Sequence, residues 1–253
     1  MNARGVGAIG SVPPNELVGR VAAIEWPEVE ADLDAQGAAV IKGLLAPVDC
    51  HELSSLYQRD DIFRARVVMA RHGFGRGEYR YFDYPLPPLI GVLRESLYAH
   101  LAPVANRWYD AMGMTARFPD RHSDFIDRCH AAGQEKPTPL LLQYAAGDYN
   151  CLHQDLYGEH VFPLQVAVLL EEPGRDFRGG EFVLSSSARA CRRAHRSSTC
   201  ARAMRWCLPS TIARCAARAV STASTCATVS VKCAPGIGTP WESSSTTRTD
   251  GVP

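Results

Sequence analysis

The sequence predicts an α+β fold, with helices first and a run of short strands after them. Three observations carry this. Apolar residues recur at helical spacing in segments between Trp26 and Ala132. From Leu140 to Leu184, stretches of strand length alternate with turn residues: Leu140 to Tyr144, a turn at Gly147, Tyr149 to Asp155, an apolar run from Val161 to Leu170, a turn at Pro173-Gly174, and Gly179 to Leu184. At Ser185 both patterns stop.

The elements follow in order. With 253 residues the chain is long enough for one domain with a sizeable core. Residues 1–15 hold one Arg, several Gly and Pro13-Pro14 but no apolar signal core, and read as a flexible leader. Trp26-Pro27-Glu28 opens a helix that Gly37 stops. Ala38 to Ile41 is a short strand, and Pro47-Val48-Asp49 starts a second helix through Tyr57. Between Ile90 and Met112, Leu93, Leu97, Leu101 and Val104 form one stripe, which reads as core. His122 to Ala132 is a further helix ending at Gly133. His51, His72, His100, His122 and His130 have no partner spacing and read as surface or capping residues. Glu171-Glu172 reads as a solvated turn.

The segment from Arg64 to Phe82 interleaves five Arg with aromatics and three Gly. Either it is a solvated β-hairpin, or it faces a substrate whose phosphates meet Arg and whose bases stack on aromatics. Arg71, Arg76, Arg80 and Tyr81 are the substrate-binding candidates. The glycines do not make a phosphate-binding fingerprint, because no strand-to-helix context follows them.

His153-Gln154-Asp155 is the motif with the most chemistry. Side chains two residues apart on a strand share a face, so an imidazole and a carboxylate there can grip one metal ion. A second His from a distant strand would complete a two-His-one-carboxylate facial triad, which leaves positions open on Fe(II). An exposed His-Asp pair is the plainer reading of those residues alone. The flanks add Tyr144, Gly147 and Tyr149, giving Y-x-x-G-x-Y-x-x-x-H-x-D, followed by Gly179-Gly180-Glu181-Phe182. This pattern resembles the Fe(II)/2-oxoglutarate dioxygenases of the prolyl-hydroxylase-like group. The stretches RVVMARHGFGRGEYRYF, HAAGQEKPTPLLL and GDYNCLHQDLYGEHVFPLQVAVLLEEPGRDF are similar to a bacterial family described as oxygenases acting on damaged DNA. The resemblance covers roughly Val18 to Leu184. It implies a double-stranded β-helix (a jelly roll) with N-terminal helices, and Fe(II), 2-oxoglutarate and O2 as cofactor and cosubstrates. It implies His153 and Asp155 as metal ligands, and Tyr144 with Tyr149 on the cosubstrate side. The family's distal His and cosubstrate-binding Arg should come well after Leu184. His160 is too near His153 for that role, and His195 is the only His beyond Leu184.

Residues 185–253 read differently from everything before them. All eight Phe and all nine Tyr precede Ser185, whereas six of the nine Cys follow it. The first 184 residues carry 17 basic and 25 acidic groups, the remainder ten basic and two acidic, so the net charge of zero is a cancellation that says nothing about partners. Three readings compete: a disordered basic tail, a Cys-rich module, although no C-x-x-C is present, and a shifted reading frame. Codons read one nucleotide earlier allow D-A-V-V-F-A-V-H-H-R-P-V for Met204 to Cys215, Y-R-V-N-L-R-H-G for Thr222 to Val229 and H-R-H-T-L-G-I-I-F-H-D for Ile237 to Thr247. That reading restores aromatics and alternation. It supplies a His where Thr211 or Ile212 stands and an Arg where Ala223 stands. The shifted frame is therefore the reading adopted, with the closing strands lost or scrambled, a disordered tail from Ser185, and an oxygenase impaired or inactive in this chain.

No run of eighteen apolar residues is present, so no membrane span is expected. Cys50, Cys129 and Cys151 are too sparse for a disulfide scaffold, which points to the cytoplasm. Three functional classes stay open: oxidation of alkylated or damaged DNA, hydroxylation of a protein side chain such as proline or of a small molecule, and a non-catalytic pseudogene product.

Overall fold

The computed structural model describes residues 13–151, 153 and 158–185, together with strand segments 196–198, 205–209, 214–219 and 224–229. Five helices and twelve strands are described among them. Helix α1 (Pro14–Ala22) begins inside the stretch expected to be a flexible leader. Its signals are a Pro at the first turn, Glu16 near the N-terminus, and Leu17 and Val21 one turn apart on a buried face. Residues 1–12 lie outside the described residues.

Helix α2 (Trp26–Gln36) ends where Gly37 adopts the left-handed conformation and returns its N–H to the Leu33 carbonyl. Strand β1 (Ala39–Ile41) and helix α3 (Pro47–Ser55) follow. Fully buried Asp49 ties α3 down: its carboxylate accepts from the Ala46 N–H at 2.8 Å and from Arg20 at 2.8 Å. Then come β2 (Phe63–Val68), β3 (Gly75–Arg76) and β4 (Glu78–Phe82). Helix α4 (Pro88–Ala111) buries the expected stripe of Leu93, Leu97, Leu101 and Val104, and α5 (His122–Ala131) buries Phe125 and Cys129.

The remaining strands are β5 (Leu140–Tyr144), β6 (Tyr149–Asn150), β7 (Leu164–Leu169), β8 (Gly179–Ser185), β9 (Arg196–Ser198), β10 (Arg205–Pro209), β11 (Arg214–Ala219) and β12 (Ser224–Val229). They form a seven-stranded sheet, β1-β10-β7-β12-β5-β4-β2, and a five-stranded sheet, β3-β6-β11-β8-β9, with antiparallel pairing throughout. The helices and the large sheet share one core, in which the α4 stripe meets Leu141, Leu164, Val166 and Val168. That burial explains why Val161 to Leu170 reads as a continuous apolar run rather than an alternating one.

Two expectations are corrected. The closing strands were expected to be lost or scrambled and the tail from Ser185 disordered, whereas β9 to β12 lie within that stretch and take places in both sheets. Ladder bonds are made by main chain, so a segment without strand-like alternation still pairs where an apolar sheet offers an open edge. The other residues after Ser185 lie outside the described residues. His100 and His122 were expected at the surface or at caps. Instead, His100 stacks flat on Trp26 at 4.3 Å between ring centroids, and the enclosed Nε2 of His122 sits on a ring 5.2 Å from that of Tyr98. Aromatic neighbours can bury a neutral imidazole, and spacing along the chain does not reveal them. Among the described residues no helix is long and apolar enough to cross a membrane.

Candidate metal and substrate site

The stretch between β2 and β4 leaves one sheet for the other. β2 and β4 pair in the large sheet, while β3 between them pairs with β6 in the small one. Two glycines make this crossing possible. Gly75 has φ +123°, and a Cβ there would stand 2.2 Å from the Tyr149 carbonyl oxygen. Gly77 has φ +111°, and a Cβ there would press on the Tyr144 ring at 2.8 Å. Only residues without a side chain permit both the dihedrals and the close approach. The segment is thus neither a plain solvated hairpin nor a free loop; its tip is an edge strand beside the strand that leads to His153.

The stitching continues past β6. The Cys151 N–H donates to the Phe74 carbonyl at 2.8 Å, and the Cys151 carbonyl lies 2.8 Å from His153 Nδ1. A carbonyl only accepts, so Nδ1 must carry the proton. In the neutral ring Nε2 then presents the lone pair, which is the form a metal ligand requires. The half-buried His153 ring therefore carries its proton on Nδ1, the tautomer that its expected role calls for. Asp155, its expected partner, lies outside the described residues. Among the described residues no group of three or more His, Cys, Asp or Glu could hold a metal ion.

The cosubstrate candidates separate. Tyr144 ends β5 with its ring buried against Met69, whereas Tyr149 on β6 is 42% exposed. The substrate candidates separate too. Arg80 bonds Asp60 at 2.7 Å and lies over the Tyr57 ring at 4.7 Å. Tyr81 lies under Arg64 at 4.3 Å, and Arg66 pairs with Glu78. Burial raises the Glu78 carboxyl, but its bonds to Arg66 and Tyr57 outweigh that and hold it below the usual carboxylate range. Arg71 and Arg76 are exposed and make no hydrogen bond or ion pair among the described residues. Sequence reading passed over two neighbours of theirs: Phe74, 46% exposed, and His72, stacked on it at 5.3 Å. Their signal was an aromatic and an imidazole between glycines, where no core stripe claims them.

With this geometry in place, the comparisons become specific. A family described as "Oxygenase, catalysing oxidative methylation of damaged DNA" matches residues 77–224. The chain belongs to this oxygenase family. The matched span starts later and ends later than the Val18 to Leu184 stretch that carried the resemblance, and it takes in β4 to β11. Two uncharacterized proteins from strains of Mycobacterium tuberculosis are 48% identical over 103 residues, which is 41% of this chain and 44% of theirs. The match thus spans less than half the length of these relatives. Among solved structures, a prolyl 4-hydroxylase of Phytophthora capsici has a TM-score of 0.52 at 15% identity, covering 88% of this chain and 66% of that one. A prolyl hydroxylase of Trichoplax adhaerens, in complex with a hypoxia inducible factor oxygen degradation domain peptide fragment, has a TM-score of 0.50 at 12% identity, covering 86% of this chain and 94% of that one. Both likenesses are of fold, and they place the two sheets in the jelly-roll architecture of the 2-oxoglutarate oxygenases.

Proposed function

We propose that the protein is an Fe(II)/2-oxoglutarate-dependent oxygenase of damaged DNA, and that this chain carries it in an impaired form. The observation that supports the metal assignment is the bond from His153 Nδ1 to the Cys151 carbonyl, which fixes the tautomer in which Nε2 is the metal-binding nitrogen. His153 and Asp155 would hold the iron. When bound, Fe(II) with 2-oxoglutarate and O2 supplies hydroxylation of a C–H bond, which on an N-methyl group amounts to demethylation. The protein's own part is orientation. Cys151 fixes the imidazole, β6 and β11 carry the chain to either side of the site, and the β3 edge lies beside it. The family description favours DNA as substrate. Likeness to prolyl hydroxylases carries fold and adds nothing for a protein substrate.

The impairment rests on the shifted frame. The segment 204–215, whose alternative reading alternates like a strand, contains β10, and 222–229 contains β12. Positions 211 and 212, where that reading supplies a His, directly precede β11, the strand that pairs with β6 through Arg218 and Tyr149. In this chain those positions are Thr and Ile, and no other His follows His195. One facial ligand and the cosubstrate Arg are then missing. The test is 2-oxoglutarate decarboxylation with added Fe(II), run on this chain and on one corrected by a single nucleotide near the Leu184 codon. The expectation is turnover reduced at least about 100-fold in this chain, recovery on correction, and loss again with His153→Ala. Full turnover by this chain would refute the impairment, and full turnover by corrected His153→Ala would refute the metal site.

A further inference from the structure

We infer that Phe74, Arg76 and Tyr149, with Arg71 and His72 beside them, form a platform that receives a single strand of DNA next to the metal site. This inference rests on the DNA-oxygenase reading for its substrate and on separate geometry for its residues.

Arg76 stands directly opposite Tyr149 in the β3–β6 pair, and residues directly opposite on paired strands share a face. Phe74 is anchored at the next step, where its carbonyl accepts the Cys151 N–H. The edge strand therefore sets two exposed aromatics and one exposed cation beside Cys151, the residue that orients His153. Phe74, just before β3, and Tyr149 on β6 are 46% and 42% exposed, and rings so placed offer faces on which bases stack. Bases do so whatever their sequence, and the neighbouring Arg side chains match the phosphates between bases.

The charges around the platform agree with this occupant. Met69 to Arg76 contains two Arg, one His and no acid. Of the nearby acids, Asp148 turns its carboxylate to the Ala145 N–H at 2.7 Å, and Glu78 is engaged with Arg66 and Tyr57. Three of the five Arg in the segment are engaged by other groups of the protein, and the other two, Arg71 and Arg76, lie in and just before β3. An acidic peptide would satisfy the cations but not the stacked rings. A duplex would keep its bases from them.

The experiment is fluorescence anisotropy with a labelled single-stranded oligonucleotide and the full chain without metal, repeated at several salt concentrations. Phe74→Ala should weaken binding about tenfold, while Phe74→Trp should keep it within about threefold, because stacking survives the exchange. Arg76→Ala should lower the slope of log K against log salt by about 0.7, the amount for one phosphate on a single strand. Arg107→Ala, which removes a cation paired with Glu30 and Asp34, should change neither quantity. Heparin, a polyanion without bases, should be insensitive to Phe74→Ala. Equal loss on heparin and DNA, wild-type affinity in Phe74→Ala, or no DNA binding at all would overturn the platform. Each variant's thermal melt checks that the fold is kept. Because binding is read without iron, these outcomes stand apart from the His153 tests: a working platform, together with a frame-corrected chain that never turns over 2-oxoglutarate, would refute the oxygenase reading alone.

Discussion

At the scale of single residues, the two histidines with the clearest environments do opposite things. His153 has Nδ1 bonded to the Cys151 carbonyl, which fixes its tautomer. His122 has an enclosed Nε2 without a partner among the described residues, and burial, reinforced by the Arg94 charge, pushes its pKa down to about 3. An unfolded chain titrates its histidines near pH ~6.5. The folded His122 is therefore neutral where the unfolded one takes up a proton. Its contribution to stability is complete above about pH 6.5 and declines as pH falls toward about 3, by at most about 1.4 kcal/mol per pH unit. Urea midpoints measured from pH 7 to pH 4 should fall less steeply for His122→Gln than for the parent. An unchanged slope would mean that the ring is hydrated in solution. Neither role could be read from the chain alone. The H-x-D spacing pointed to His153 as a ligand but not to the Cys151 carbonyl that selects its tautomer, and nothing in sequence announces that Tyr98 and Arg94 surround His122.

At the scale of elements, the glycine crossing is the most sensitive part of the site. Gly75→Ala places a methyl against the Tyr149 carbonyl at a φ that alanine rarely adopts. It should cost about 1–3 kcal/mol and should unpair β3 from β6 before it disturbs the helices. Hydrogen exchange at Cys151 should quicken while the amides of α4 keep their protection; equal quickening in both would place the damage in the core. The helices were legible because their signals are local: a Pro at the first turn of α2 and α3, Gly37 after α2, and one apolar stripe along α4. The alternation of Arg and aromatics on β2 and β4 was legible too. That β3 between them belongs to the other sheet was not, since the crossing depends on contacts between residues about 75 apart in sequence. Helix α1 was missed because the two prolines that start it look like those of a linker.

At the scale of the whole molecule, the family membership and the jelly roll came from motif order rather than from periodicity. The strands beyond Ser185 were invisible to either approach; they pair with β1, β5, β6, β7 and β8, ladders that no local signal after Ser185 announces. The covalent path between β2 and β4 then acquires a mechanical meaning. It joins the two sheets beside His153, as the later passages of the chain from β5 to β8 and from β9 to β12 also do, while the small sheet's other edge, β9, pairs with β8 alone. A strand with one neighbour should loosen before β6, which β3 and β11 hold from both sides. In native-state hydrogen exchange under mild denaturant, the Cys151 amide, bonded across to Phe74, should exchange only with the global transition. The amides of β9 should exchange at much lower cost. Partial unfolding would then expose the β9 rim of the small sheet while leaving β6, and the chain leading from it to His153, in place.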